Sequence, residues 1–281
     1  PERTRIGRFF YWTSFLHDLK KTHTRASEIP LKFRMSFLSF LLNFTKFNTN
    51  LLESPLSHLE TKHQLYKEVG LIGKALGHEV RLELIELLAQ CPQSVEKFTE
   101  ILHEDYKSIS AHLRVLYRAG LVDCIREGRY QRYYLTSPKV AALAVMLRET
   151  AEQSIRSLTT LERENGIVQA ALGVEDAVHY ASQGKLILID VRPEAEFVTG
   201  HLPHAINMPV DQIPQHISEL PDNVTVAAYC RGPYCFLAHE AARIFAEHGR
   251  RLQIIPEGVM EWASHGAQLE RQTAHHSSSD V

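Results

Sequence analysis

The chain has 281 residues, 44% of them hydrophobic, and a formal net charge of −2. That length suits two domains of ordinary size, and the hydrophobic share excludes a wholly disordered chain. The four cysteines, Cys91, Cys124, Cys230 and Cys235, are too few and too scattered for a disulfide framework; they suit a reducing cytosol, where thiols are kept for chemistry.

Charge is unevenly spread. Residues 166–281 carry 14 acidic and 7 basic side chains, whereas residues 106–139 carry 7 basic and 2 acidic ones. A local basic cluster is the footprint of a nucleic-acid partner, and the acidic C-terminal part is a poor candidate for that role. The first 60 residues hold two apolar runs, Phe9–Trp12 and Phe37–Leu42, flanked by basic residues. Neither approaches the ~18–20 residues of a membrane span, and no membrane partner is expected. A poorly ordered extension over 1–60 is the reading adopted, with an interfacial amphipathic segment as the alternative. The first methionine is Met35, so a natural start at or after it is an open expectation. Residues 271–281 are expected to form a disordered tail.

From Leu65 the apolar spacing becomes helical. Val69, Ile72 and Leu76, then Leu82, Leu84, Ile85, Leu87 and Leu88, recur at intervals of three and four. Pro92 stops the second helix, and Ser94 is placed to cap a third carrying Val95, Phe98, Ile101 and Leu102. A fourth is predicted from about Asp105 to Ala119, ended by Gly120. Leu121–Ile125 and Tyr130–Leu135 read as two strands around a Glu127-Gly128-Arg129 turn. Pro138 opens a long helix to about Glu164, and Asn165-Gly166 marks the predicted domain boundary, giving a first domain over 61–165 and a second over 166–270. In the second, helices at Val174–Ser182 and Ala238–His248 alternate with strands at Leu186–Ile189, Val224–Tyr229 and Leu252–Ile255. That alternation argues a parallel sheet.

At about 100° per residue, Ile109, Leu113 and Leu116 of the fourth helix share one side, and Lys107, Ser110, Ala111, Arg114 and Arg118 share the other. The outward face is small, polar and basic, as a helix entering the major groove must be. The hairpin adds Arg126, Arg129, Gln131 and Arg132 for phosphates or the minor groove. The run Lys107-Ser108-Ile109-Ser110-Ala111-His112-Leu113-Arg114-Val115-Leu116, followed by Ala119-Gly120-Leu121-Val122, resembles the recognition helix of the ArsR family of bacterial repressors, over roughly residues 63–160. The resemblance implies a winged helix-turn-helix, with Lys107, Ser108, Ser110, Ala111, His112, Arg114, Arg118, Arg126, Arg129 and Arg132 as the DNA-binding set, and a homodimer on two-fold double-stranded operator DNA. Val140, Leu143, Ala144, Leu147, Ala151, Ile155 and Leu158 independently form an apolar stripe suited to a partner helix or to the chain's own core. Many relatives sense metal through paired cysteines before the recognition helix; here Cys91-Pro92-Gln93-Ser94-Val95-Glu96 offers one. The terminal helix has no histidine, so three or four converging ligands cannot be assembled, and neither metal nor cofactor is expected. Cys91 and Cys124 read as two buried cysteines, with a dithiol switch as the alternative.

The second domain carries a different signature. Asp190-Val191-Arg192-Pro193, then Glu196-Phe197, Gly200-His201-Leu202-Pro203, Ala205, Asn207 and Pro209, resemble the front motif of rhodanese domains, and Gly258 and Trp262 match that family's closing element. Tyr229-Cys230 ends a strand just before a helix. A thiol there sits in a cup of backbone N–H groups that, with the helix dipole, lowers its pKa and favours the attacking thiolate. The resemblance, over about 173–267, implies that Cys230 takes a sulfane sulfur from a small donor such as thiosulfate, forming a persulfide, and passes it to a thiol or cyanide. Arg231 is assigned to attract the donor, and Asp190 and Arg192 to brace the loop. Where the family has a basic residue five positions after the cysteine, this chain has Cys235. It is either a resolving thiol, attacking a persulfide on Cys230, or a filler of the loop's inner side.

Three functions remain in play: a cytoplasmic, dimeric repressor whose DNA affinity responds to reactive sulfur or oxidant at Cys230, a thiosulfate sulfurtransferase with an accessory DNA-binding domain, and a bare scaffold whose inactive rhodanese fold binds a protein partner. The expected fold is an α+β winged helix-turn-helix domain followed by an α/β rhodanese-like domain.

Overall fold

The computed structural model describes residues 55–128, 130–167 and 172–272. The expectations for residues 1–54, for the tail beyond 272 and for Arg129 therefore lie outside the described residues. The compact body that carries both domains begins at Glu68.

Helix α1 (Pro55–Leu76) leads into α2 (Glu79–Gln90), where the His78 ring accepts the Val80 N–H at 3.3 Å as an N-cap. Ser94 caps α3 (Val95–Leu102) as the sequence predicts, and Asp105 caps α4 (Tyr106–Arg118) by accepting from Lys107 and Ser108 at 2.8 and 3.0 Å. Gly120 ends α4 at φ +71°, a left-handed conformation that favours glycine, so Leu121 N–H can return to the Leu116 carbonyl. Strands β2 (Val122–Glu127) and β3 (Tyr130–Leu135) pair antiparallel from Val122↔Leu135 to Glu127↔Tyr130. A third strand, β1 (Gln93–Ser94), pairs with the far side of β3; two residues are too short to show a period. Cys91 and Cys124 thus flank β3 from opposite sides, and both are free thiols.

The long helix predicted to Glu164 is broken. Helix α5 (Pro138–Ser154) and helix α6 (Arg156–Glu164) are separated by Ile155 in an extended conformation, φ −110°, ψ 98°. No glycine or proline marks the break.

After α7 (Val174–Ser182) comes a four-stranded sheet in the order β5-β4-β6-β7, all pairs parallel. The strands are β4 (Leu186–Asp190), β5 (Ile206–Asn207), β6 (Thr225–Tyr229) and β7 (Gln253–Ile254). Helix α8 (Glu194–Thr199) follows β4, α9 (Ile213–His216) follows β5, α10 (Leu237–Glu247) follows β6 and α11 (Val259–Ser264) follows β7. Strand periodicity sorts the β6 run between two faces. Val226, Ala228 and Cys230 pack with Ala238, Ala241 and Phe245 of α10; Ala227 and Tyr229 pack with Val174 and Ala177 of α7.

The winged-helix core, built on Leu84, Ile85, Phe98, Ile109, Leu113 and Leu116, is a separate apolar cluster. Between it and the sheet domain lies a mostly polar seam. Helix α11 packs against α5 and α2, and α8 against α2. Among the described residues, no helix is long and apolar enough to cross a membrane.

Candidate functional site

The register Asp190↔Tyr229 places Asp190 and Cys230 at the carboxyl ends of neighbouring strands, the edge of a parallel sheet where ligands bind. Asp190 and Arg192 are both fully buried. The Arg192 guanidinium donates to Asp190 at 2.5–3.2 Å and to the Gly200 carbonyl at 2.9 Å, while Tyr229 O–H donates to Asp190 at 2.5 Å. Asn207 donates to the carbonyls of Asp190 and Arg192. The front motif is thus a brace under the thiol loop, and neither Asp190 nor Arg192 reaches the cavity in front of Cys230.

That cavity, of about 290 Å³, contains both Cys230 and Cys235 in its wall. Cys230 is 3% exposed, and its S–H donates to the Cys235 carbonyl at 3.0 Å. Backbone N–H groups of Ala238 and Gly232 face the Cys230 sulfur; those of Arg231 and Leu237 face Cys235. The cup expected at a helix N-terminus is present. The hydrogen bond with Cys235, then burial, push the Cys230 thiol up. Cys235 is lowered to about 6, first by the Cys230 hydrogen bond, against burial, then by N–H groups and the Arg231 charge. The two thiols share this hydrogen bond and titrate as a pair, so one proton is lost from the pair more readily than from a free cysteine.

Arg231 also differs from its expected role. Its guanidinium is held by Glu196 at 2.7–3.1 Å, its side chain is 12% exposed, and it does not line the cavity. A donor meets it only through its field. Gly258 explains the closing motif: a β-carbon there would lie 2.4 Å from the Cys230 carbonyl and 2.5 Å from that of Arg231. Its N–H is taken by Glu261 at 2.9 Å.

The seam places winged-helix residues against this loop. Arg192 donates to Gln90 of α2 at 2.7 Å, and Arg148 of α5 pairs with buried Glu261 at 3.1 Å. Tyr234, between the two cysteines, donates its hydroxyl toward Glu152 of α5 at 3.0 Å and Glu162 of α6 at 2.7 Å. On a straight helix, residues ten apart are ~15 Å apart along the axis. One hydroxyl meets both carboxylates because the chain turns at Ile155. Glu86 of α2 lies in the field of Cys235, Arg231 and Glu261, and its carboxyl is pushed up to about 7, chiefly by burial and then by the Cys235 charge. A carboxyl that binds its proton more tightly when folded costs stability as pH rises from its ordinary 4.5 through about 7. Glu86→Gln is therefore expected to flatten that decline and to stabilise the protein above pH 7. The expected gain is on the order of 2 kcal/mol, since each tenfold change in proton affinity is worth ~1.4 kcal/mol; urea titrations at pH 5 and 8 measure it. Gln90, Arg148, Glu152, Glu162, Glu86 and Glu261 escape sequence reasoning because their partners across the seam lie 72 or more residues away.

On the other side of the winged helix, Lys107, Ala111, Arg114 and Arg118 are exposed on α4, and Ser108 and Ser110 are half-buried. Ile109, Leu113 and Leu116 are fully buried on the opposite face. His112 is engaged elsewhere, its ring 4.3 Å from that of His78, the α2 cap. In the hairpin Arg126 is exposed, its Nε donating to the Gly128 carbonyl at 3.2 Å. Arg132 donates to the Pro92 carbonyl at 2.7 Å and reaches Glu127 at 3.4 Å, so it ties the hairpin to the α2–α3 link. Among the described residues, no three of His, Cys, Asp and Glu converge to hold a metal ion.

Comparison with known proteins matches this division. Residues 174–265 match the rhodanese-like domain, and residues 78–123 match the arsR family of bacterial regulatory proteins. The HTH-type transcriptional regulator Rv0324 of Mycobacterium tuberculosis is 31% identical over 212 residues, which cover 75% of this chain and 94% of that protein. A sulfurtransferase of Allochromatium vinosum is 32% identical over 82 residues, 29% of this chain and 75% of that one. Among solved structures, the homodimeric winged helix-turn-helix DNA-binding domain of Mb0332 from Mycobacterium bovis is 32% identical, covers 34% of this chain and 89% of its own, and gives a TM-score of 0.32.

Proposed function

The chain belongs to the ArsR-type helix-turn-helix transcriptional regulators and carries a rhodanese-like domain behind its DNA reader, and from that premise we propose that it is a cytoplasmic, homodimeric repressor that leaves its operator when the Cys230–Cys235 pair takes up sulfane sulfur. The observation that carries this reading is Tyr234, whose hydroxyl ties the thiol loop to α5 and α6. The chemistry balances with the donor as oxidant. A Cys thiolate attacks the sulfane sulfur, the donor's S–S bond breaks, and the donor residue leaves with the electron pair. The other thiol then attacks the protein-bound sulfur of the persulfide, giving a Cys230–Cys235 disulfide and HS⁻. A persulfide on Cys230, or the disulfide, removes the S–H that the Cys235 carbonyl accepts at 3.0 Å, so the loop must move, and Tyr234 moves with it. A dimer through α5 is supported by Leu143, Met146 and Leu147, which are 37%, 61% and 40% exposed on that helix, more apolar surface than a solvated face needs.

The rival reading is an enzyme first, a sulfurtransferase that the DNA reader only localises. One experiment separates them: operator affinity and multiple-turnover sulfur transfer, with and without donor, for wild type and Cys230→Ser. The expected outcome is weakening by donor of at least tenfold in wild type and none in Cys230→Ser. Donor-insensitive DNA binding with steady turnover would establish the rival. Lys107→Ala with Arg114→Ala serves as the groove control and is expected to lose roughly 1–3 kcal/mol of operator binding per base contact.

A further inference from the structure

The wall of the thiol cavity is of unexpected character for an anion site. Ile167, Leu252, Ile254 and Pro256 line it, and among the described residues no lysine or arginine does. Arg231, the nearest cation in sequence, is spent on Glu196. Among the described residues, the one ionisable side chain in the wall besides the two thiols is His239, in the first turn of α10. Its Nδ1 is buried and has no hydrogen-bond partner among the described residues, although buried polar atoms are nearly always paired. The Phe236 ring lies beside it, 5.5 Å between centroids.

A small dianion such as thiosulfate would shed hydration against these apolar walls and gain only the N–H cup. A donor with an apolar body loses nothing there and buries carbon instead. We propose that this cavity selects an organic hydropersulfide, R–S–SH, whose R group lies on Ile167, Leu252 and Ile254 and whose departing sulfur is met by His239. The inference rests on the reading of the cysteine pair as sulfur acceptor and names the donor class for it. The thiolate forms a bond to the terminal sulfur, the S–S bond of the donor breaks, and RS⁻ departs with the electron pair and takes a proton from the His239 ring. His239 is then reprotonated from solvent. No further oxidant is required, because the sulfane sulfur is itself the group transferred.

The test uses the reduced full chain and two probes, benzyl hydropersulfide and thiosulfate. Loading is followed by the mass change of the Cys230–Cys235 peptide, a gain of one sulfur for the persulfide or a loss of two hydrogens for the disulfide, and each rate is divided by that of the same donor with a free small thiol. The expected result is a normalised preference for benzyl hydropersulfide of at least tenfold, reduced at least fivefold in Leu252→Arg. His239→Gln, with an unchanged thermal midpoint, is expected to slow hydropersulfide loading at least fivefold and to remove one limb of its pH–rate profile. Equal or faster normalised loading from thiosulfate would overturn the donor class while leaving the cysteine pair as acceptor. An unchanged rate and pH profile in His239→Gln would overturn the role of His239. Neither persulfide nor Cys230–Cys235 disulfide from either probe would overturn this inference and the functional reading together.

Discussion

Gly258→Ala is expected to destabilise the protein by at least about 2–3 kcal/mol and to abolish sulfur loading. The backbone at Gly258 is in an extended conformation that any residue adopts, so the effect is purely one of space. A methyl group would stand 2.4 Å from the Cys230 carbonyl oxygen and 2.5 Å from that of Arg231, closer than nonbonded atoms approach. Both obstacles are backbone, which has no rotamer to change. Either the thiol loop is pushed off the sheet edge, or α11 is pushed off the loop, taking with it the Glu261 carboxylate that holds Gly258 N–H and Arg148. Overpacking in a tight interior costs typically 1–3 kcal/mol, and the lost hydrogen bonds add to it. A urea titration measures the first effect and the mass change of the Cys230–Cys235 peptide the second. Wild-type values for both would mean that the closing glycine does not hold the loop.

Asp190→Ala is expected to be of similar size, about 3–5 kcal/mol, because it strands a buried guanidinium. Arg192 is fully buried and draws its counter-charge from Asp190 at 2.5 Å. Without that carboxylate, Tyr229 O–H and Arg192 both lose their acceptor, and Gln90 and the Gly200 carbonyl cannot replace the charge. The variant with both partners removed, Asp190→Ala with Arg192→Leu, should recover part of the loss, since a buried pair costs less to replace than to break. A single variant as stable as wild type in urea would contradict the brace.

What the sequence made legible follows from periodicity. The recognition helix could be assigned face by face because a 3.6-residue period fixes which side chains share a side, and Ile109, Leu113 and Leu116 are indeed the buried ones. Cys230 could be placed because a strand, a short loop and a helix leave one place for it, at the sheet edge. The remainder depends on contacts that no local pattern encodes. Gln90 meets Arg192 across 102 residues and Arg148 meets Glu261 across 113, so the seam that joins reader to thiol loop is invisible in either segment alone. The break at Ile155 has no glycine or proline to announce it, and the tyrosine that bridges its two sides lies far along the chain. The hydrogen bond that couples the Cys230 and Cys235 thiols depends on how the loop folds back, and Arg231 reads as a free cation until Glu196, buried at 2% exposure, is placed beside it.

This seam gives the proposed coupling a physical form. Three polar contacts join the thiol loop and its surroundings to the winged helix, Tyr234 to Glu152 and Glu162, Arg148 to Glu261, and Arg192 to Gln90. Allosteric coupling of tenfold requires about 1.4 kcal/mol of difference between two states, the scale of one hydrogen bond to a charged group gained in one state and lost in the other. Among the three, Tyr234 is the contact carried by the moving loop itself. The most direct measurement is therefore the ratio of operator dissociation constants for sulfur-loaded and reduced protein, in wild type and in Tyr234→Phe, with loading verified by mass. The expected ratio is at least ten in wild type and below about three in Tyr234→Phe, with loading unimpaired. A Tyr234→Phe protein that loads sulfur and keeps the full wild-type ratio would contradict coupling through this tyrosine.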